Sequence, residues 1–311
     1  MSRLGALGEG LIELSLDPDR TIVELGFGGD AANICVMAAR LGTEARIGGR
    51  VGADSFGDAL LGFWERIGVR VDAVVRDPDA ATGLYLNEGR PGGEHRFVYY
   101  RSDSAGSRLR SSDLNEGFYS GLDGLVVTGV TLAISESAAE AAEAALGRAA
   151  QLGIGGVCVV NHRTALGGDG ARLAELARRC RLVISSREDA EELFGSGQPA
   201  ELLAALGGQV EEVVLSDGAR GAVALVGADT FAQPAPAVEL VNAAGAGDAL
   251  AGAYLAGRLA GSGPTKALTL AVTAASLSVE RSGCANSYPS ATEVETALGR
   301  LSAAGTRSEA G

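Results

Sequence analysis

The segment Val241-Asn242-Ala243-Ala244-Gly245-Ala246-Gly247-Asp248-Ala249 joins an apolar stretch, AVELV, to a helical pattern, ALAGAYLAGRLA. Residues this small let backbone N–H groups turn toward one point and make a nest for an anion. The helix that follows adds its positive N-terminal end. Together they suit a transferring phosphate or a carboxylate. Asp248 falls in the first helical turn, where the dipole favours its ionised form. A carboxylate beside an anion hole is what transfer of phosphate to a hydroxyl needs: it accepts the hydroxyl proton while the nest offsets growing negative charge. The same string also fits a plain N-terminal cap on a tightly packed helix.

A second glycine-rich string, Gly26-Phe27-Gly28-Gly29-Asp30-Ala31-Ala32-Asn33, precedes ICVMAARLG. Its Gly26-x-Gly28-x-x-Ala31 spacing after TIVEL matches a dinucleotide-binding fingerprint. Three features count against that reading. Glu24 interrupts the strand that should be buried, the motif follows an earlier strand, and ARIGGRVG stands where an acidic residue should end a second strand about 20 residues on. A third group comprises Tyr85, Tyr99, Arg101, Asn161 and Arg163. Arg163 follows VCVVNH, at the carboxyl end of a strand pattern, and such ends face the ligand crevice in open α/β sheets. Two guanidinium groups meeting in one cleft would suit an anionic substrate, because the planar fork binds a carboxylate at two points. Taken alone, each Arg reads as an ordinary surface residue, so the pairing needs support from elsewhere in the chain.

The elements that must position these residues alternate. Short apolar runs at Gly124–Thr128, Gly156–Val160, Leu182–Ser185, Glu212–Ser216 and Gly221–Val226 read as strands. Helical patterns cover Glu136–Leu152, Gly170–Arg179, Arg187–Phe194 and Pro199–Leu206, then Asp248–Ala260, Pro264–Arg281 and Ala291–Leu301, with a frayed tail GTRSEAG. Alternation of this kind predicts βαβ units and a mainly parallel sheet covered on both faces. Leu11–Leu25 and Thr82–Arg101 depart from it and read as β-hairpins, the second turning at a Gly/Pro-rich segment. They predict a small sheet standing away from the main layer and able to act as a lid.

Composition narrows the partners. The 311 residues carry 26 Lys+Arg against 39 Asp+Glu, a formal charge of −13, which argues against nucleic acid or an anionic membrane. No apolar run reaches the ~18 residues of a membrane span. Glu9 and Glu13 come too early for a signal peptide. Cys35, Cys158, Cys180 and Cys284 form no CxxC pair, so free thiols in a reducing cytoplasm are expected rather than zinc or disulfides. Trp64, Cys35 and Cys158 read as core, His95 as solvated in a polar turn, His162 as adjacent to the candidate site with no partner visible in the sequence, and the Ala/Glu run Ser137–Ala150 as an exposed helix face.

Taken in order, GGDAANICVMAARLG, IGGRVGADSFGDALLGFWERIGV and NAAGAGDALAGAYLAG resemble the signatures of the ribokinase-like sugar kinases of the phosphofructokinase B type, along nearly the whole chain. TGLYLNEGRPGGEHRFVYYRSDSAGSRL and NHR at 161–163 resemble the 2-keto-3-deoxygluconate kinases within that family. The resemblance implies a three-layer α/β/α core with a small β lid, the core being 1–10, 26–81 and 102–311 and the lid 11–25 and 82–101. It implies an ATP-dependent kinase acting on the primary hydroxyl of a sugar acid, with Mg²⁺, and a homodimer or higher homo-oligomer through the lid. Gly29, Asn33, Tyr85, Tyr99 and Arg101 would contact the sugar, with Asn161 beside them, and Arg163 its carboxylate. Gly245, Ala246 and Gly247 would form the anion hole and Asp248 the base. Ser216, Gly218, Gly221 and the region of Ala275 would lie along the nucleotide. The family's Asp-Thr is here Asn242-Ala243, which puts K⁺ activation in question. Its Asn-x-x-Glu is Ser186-Arg187-Glu188-Asp189, so Asp189 would reach Mg²⁺ through water. Val272 stands where many relatives carry Asn. Two alternatives stay open: a kinase for a neutral sugar (fructose, ribose) or a nucleoside, and a degenerate relative that binds sugar or nucleotide with little turnover.

Overall fold

Runs such as GLVVT and LVISS show no polar alternation because they are covered from both sides. The computed structural model describes residues 2–16, 19, 21–89 and 95–308. In chain order it begins with β1 (Arg3–Leu7), β2 (Leu11–Leu16), β3 (Val23–Gly28), α1 (Asp30–Arg40), β4 (Glu44–Gly52), α2 (Ser55–Ile67), β5 (Arg70–Asp77), β6 (Leu84–Gly89) and β7 (His95–Tyr100). There follow α3 (Glu116–Tyr119), β8 (Gly124–Thr128), α4 (Gly129–Ile134), α5 (Glu136–Gln151), β9 (Gly155–Val159), α6 (Gly170–Arg178), β10 (Leu182–Ser186), α7 (Arg187–Phe194), α8 (Pro199–Leu206) and β11 (Glu212–Ser216). The chain closes with β12 (Ala222–Val226), β13 (Asp229–Gln233), α9 (Ala246–Leu259), α10 (Pro264–Ser278) and α11 (Ala291–Ser308).

Among the described residues the main sheet runs β13-β12-β11-β10-β9-β8-β1-β4-β5. From β11 to β5 every pairing is parallel, and β12 and β13 add an antiparallel edge. Two apolar clusters fill the space on its two sides. One gathers α1, α2, α9 and α10 around Trp64, Tyr254 and Tyr288, and the other gathers α5, α6 and α8 around Phe118 and Leu146. The three-layer core expected from the sequence is therefore present. Strands and helices of the second half match the expected ranges to within about two residues, except that α10 stops at Ser278 and α11 runs on to Ser308. The Ala/Glu run is corrected: α5 turns Ala138, Ala141, Ala142, Ala145 and Ala149 into the core and only its charged side outward.

The second sheet has the order β3-β2-β6-β7, with β2 and β6 parallel and both outer pairs antiparallel. The expected turn at 90–94 lies outside the described residues. β3 continues to Gly28, three residues beyond the expected lid boundary, because Gly26, Phe27 and Gly28 pair with Glu13, Ile12 and Leu11. This placement also removes the dinucleotide reading, since the strand before Gly26-x-Gly28 belongs to the second sheet and not to the parallel one. α9 packs closely on α1. A Cβ at Gly252 would stand 2.6 Å from the Ile34 carbonyl oxygen and 2.8 Å from Met37 Cβ, so glycine lets the two helices approach and brings Asn33 beside Asp248.

Candidate active site

At the carboxyl ends of β9, β10 and β11 a cavity of about 750 Å³ opens beneath the second sheet, which contributes Phe97. Its floor is the start of α9, with Asn242 to Gly245, Gly247 and Asp248 on its surface. The first amides of a helix have no intrahelical acceptor. Among the described residues the N–H groups of Gly245, Gly247 and Asp248 have no protein acceptor, whereas Ala246 N–H donates to the Ala243 carbonyl at 3.2 Å. Of the amides expected to face an anion, those of Gly245 and Gly247 are thus open, with that of Asp248 beside them, while that of Ala246 is engaged in a turn. A Cβ at Gly247 would meet nothing within 4 Å, so the space beside Gly247 is open.

Asp248 is 8% exposed. Its Oδ2 accepts a 2.8 Å hydrogen bond from Asn33 Nδ2. Burial, reinforced by the nearby Asp30 charge, pushes its carboxyl up to about 7, against the opposing pull of Asn33 and Arg163. A base poised there is half ionised at neutral pH and can both take and return a proton. Asp30, the first residue of α1, is itself buried; burial raises its pKa although its oxygens accept from Ala31 N at 2.7 Å and Asn161 Nδ2 at 3.2 Å. Asn161 reaches Asp30 from a left-handed backbone conformation, φ 33°, that asparagine tolerates better than most residues. Asp30→Asn is expected to lower the inflection of the acid limb of kcat/KM by about half to one pH unit, because it removes a like charge from beside Asp248. A pH–rate series on the purified variant checks this.

The other expected residues separate into two sets. Arg163 is exposed and lines the cavity with Asn161, and its charge acts on both Tyr99 and Asp248. Arg101 is 90% buried as a side chain, in charge contact with Glu9 and 5.6 Å from the centre of the Tyr99 ring. The idea of two free guanidinium groups is corrected accordingly: Glu9 already answers the charge of Arg101, and Arg163 is the arginine open to the cavity. Tyr85 is buried against Phe97 and Tyr99 with its hydroxyl hydrogen-bonded to Glu13, so it supports the second sheet and does not line the cavity. Gly29 has φ +103°, and a Cβ there would strike the Glu9 carbonyl. It is glycine because α1 must start against the β1–β2 loop. Ser216, Gly218, Gly221 and Ala275 come together with Val272 in a crevice of about 120 Å³ that shares Ser216, Gly247 and Leu250 with the main cavity. A ligand could therefore run from the crevice across Gly247 to Asp248.

Glu188 and Asp189 both line the cavity, and Asp189 Oδ2 accepts from His162 N–H at 3.3 Å. Two carboxylates facing the same space as the open amides fit a hydrated Mg²⁺, which binds through one or two carboxylates and keeps several waters. No group of three or more His, Cys, Asp or Glu able to hold a metal occurs among the described residues. Asn242 does not fit a monovalent cation: it is buried and uncharged, its Oδ1 accepts from Ala244 N–H at 2.9 Å, and its Nδ2 is a donor.

Sequence reasoning passed over Glu9, Glu13, Asp30 and Cys284. Glu9 is 1% exposed and burial pushes it up to about 7, with Arg101 opposing. The signal was present in LGEGLIEL and GGD, acidic residues inside otherwise apolar or glycine-rich strings.

The family model for pfkB family carbohydrate kinases matches residues 3–291. A 2-dehydro-3-deoxygluconokinase of Thermoproteus tenax is 34% identical over 97% of this chain and 95% of its own length. Another from Dickeya dadantii is 28% identical over 83% and 88%. A solved structure of a putative ribokinase II from E. coli in complex with ATP and Mg²⁺ superposes with a TM-score of 0.87 at 23% identity, covering 96% of this chain and all of the other. The chain belongs to the pfkB family of carbohydrate kinases, and its activity class is phosphoryl transfer to a sugar alcohol group.

Proposed function

We propose that the protein transfers the γ-phosphoryl group of ATP to the primary hydroxyl of a sugar acid, 2-keto-3-deoxygluconate. One observation carries this reading: Asp248, the open amides of Gly245 and Gly247, and Arg163 all face one cavity that continues into the Ser216–Ala275 crevice. The nucleotide lies along Ser216, Gly218, Gly221 and Ala275 and brings its terminal phosphate to the start of α9. The sugar acid lies under the second sheet, with Arg163 on its carboxylate and Asn33 and Gly29 beside its hydroxyls. Asp248 takes the hydroxyl proton, and the Gly245 and Gly247 amides hold the charge of the moving group. Asp189 and Glu188 would hold a hydrated Mg²⁺, which when bound would supply further charge neutralisation on the phosphates. The second sheet excludes water that would otherwise hydrolyse ATP. Asn242 leads us to expect turnover without K⁺.

Exposed Val23, Leu25 and Tyr100 leave apolar surface on the face of the second sheet turned away from the cavity, which we infer a second copy of the chain covers. Four buried free cysteines suit a reducing, cytoplasmic setting, and among the described residues no helix is long and apolar enough to cross a membrane.

A screen of ADP release with sugars and sugar acids, with and without K⁺, tests the proposal. The highest kcat/KM is expected for 2-keto-3-deoxygluconate. A preference for fructose, ribose or a nucleoside would replace the sugar-acid reading with the neutral-substrate one.

A further inference from the structure

Glu13, on β2, has no solvent exposure. A buried carboxylate is costly unless hydrogen bonds hold it. Asn87 Nδ2 donates to its Oε1 at 2.8 Å and Ser15 Oγ at 3.2 Å, the Tyr85 hydroxyl bonds it as well, and Cys284 N–H donates to Oε2 at 3.0 Å. Three of these partners belong to the second sheet. The fourth lies 271 residues along the chain, in the loop between α10 and α11. On its other side, Cys284 Sγ accepts from Asn33 Nδ2 at 3.1 Å, and the same amide nitrogen donates to Asp248 Oδ2 at 2.8 Å. Tyr288, four residues on, donates to the Gly245 carbonyl at 2.7 Å. Cys284 is therefore wedged between the second sheet, Asn33 and the nest.

We propose that Glu13 is a positioning residue: by holding the Cys284 amide it fixes the Cys284–Asn33 contact that orients Asp248, and so ties the second sheet to the phosphoryl-transfer centre. An apolar side chain would fill the same space in a purely structural sheet at no electrostatic cost. The carboxylate instead reaches across to a backbone donor outside its own sheet. With Asn33 held from both sides, Asp248 Oδ2 is committed and Oδ1 is left for the acceptor hydroxyl. The groups that act on Asp248 are Asp30 from α1, Arg163 after β9, and Cys284 and Tyr288 from the loop before α11. The proposal rests on Asp248 being the proton acceptor.

The test uses the full chain with Glu13→Gln, Cys284→Ala, Cys284→Ser and Asp248→Asn. The glutamine sets an N–H against one of the existing donors. It is expected to lower kcat about 10-fold with the KM for ATP unchanged, and to move the acid limb to higher pH, because a loosened Asn33 favours the ionised carboxylate less. Cys284→Ala moves the limb the same way, and Cys284→Ser, which keeps an acceptor, restores it. The Glu13→Gln and Cys284→Ala effects combine less than additively. If these variants lower only the melting temperature and leave kcat and the limb at wild-type values, Glu13 is structural and the proposal is overturned. If Glu13→Gln does not fold, Glu13→Asp, which keeps the charge but shortens the reach to the Cys284 amide, is read in the same way. Loss of activity in Asp248→Asn together with an unmoved limb removes only the role of Glu13. Full activity in Asp248→Asn removes the base itself and this inference with it.

Discussion

Asp248→Asn should lower kcat on the sugar acid by about 10³-fold while leaving ATP affinity near wild type. The asparagine keeps the shape of the side chain and can still accept from Asn33 at the 2.8 Å geometry, so the first turn of α9 and its open amides persist. What is lost is a site for the hydroxyl proton. A second signature separates this loss from general damage. Burial pushes Asp248 up to about 7 from the ordinary aspartate value of 3.8. A carboxyl whose pKa is raised on folding binds more protons in the native state than in the unfolded one between those limits. Stability therefore falls as pH rises through that window. The neutral variant avoids ionising a buried group, so it should melt higher than wild type at about pH 8, by ~1–3 kcal/mol in stability, with the difference closing toward about pH 4. Single-turnover phosphoryl transfer and thermal melts across that range measure both. A variant with wild-type kcat, or one less stable than wild type at alkaline pH, would contradict the assignment.

Arg163→Ala should lower kcat/KM for the sugar acid by about 10²-fold, roughly 3 kcal/mol, the size expected for losing a charge-assisted pair of hydrogen bonds. Neutral sugars should lose far less, because Arg101 is already engaged by Glu9 and Arg163 has only a carboxylate to answer. Arg163 also opposes the upward push on Asp248. Its removal raises the acid limb, and rates must be compared well above that limb, near about pH 8.5. Arg163→Lys keeps the charge but not the fork, and should recover part of the loss. Equal losses on acid and neutral substrates would take the carboxylate away from Arg163.

Much of the architecture could be read along the chain. Parallel strands buried on both faces must be apolar throughout, and the second-half strands are, so their positions and the layer order followed. The helix start after Gly245 was legible for a local reason, a run of small residues before a helical pattern, although that string fitted a plain cap as well as an anion nest. The hairpin boundary at Gly26 was misjudged because a glycine-rich string reads as a loop, and only pairing with Glu13, Ile12 and Leu11 makes it a strand. The Ala246 amide was misjudged because a single 3.2 Å turn bond to Ala243 has no sequence signature.

The sequence by itself determined the class of fold, the helix start that presents Asp248, and the residue types from which an anion site could be built, all of which depend on neighbours a few positions apart. Tertiary structure decided which charges are free and which are spent. Glu9 meets Arg101, Asp30 raises Asp248, and Glu13 reaches Cys284 across 271 residues. The energy of a charge depends on its burial and on whatever partner the chain folds against it, and neither is a property of local spacing.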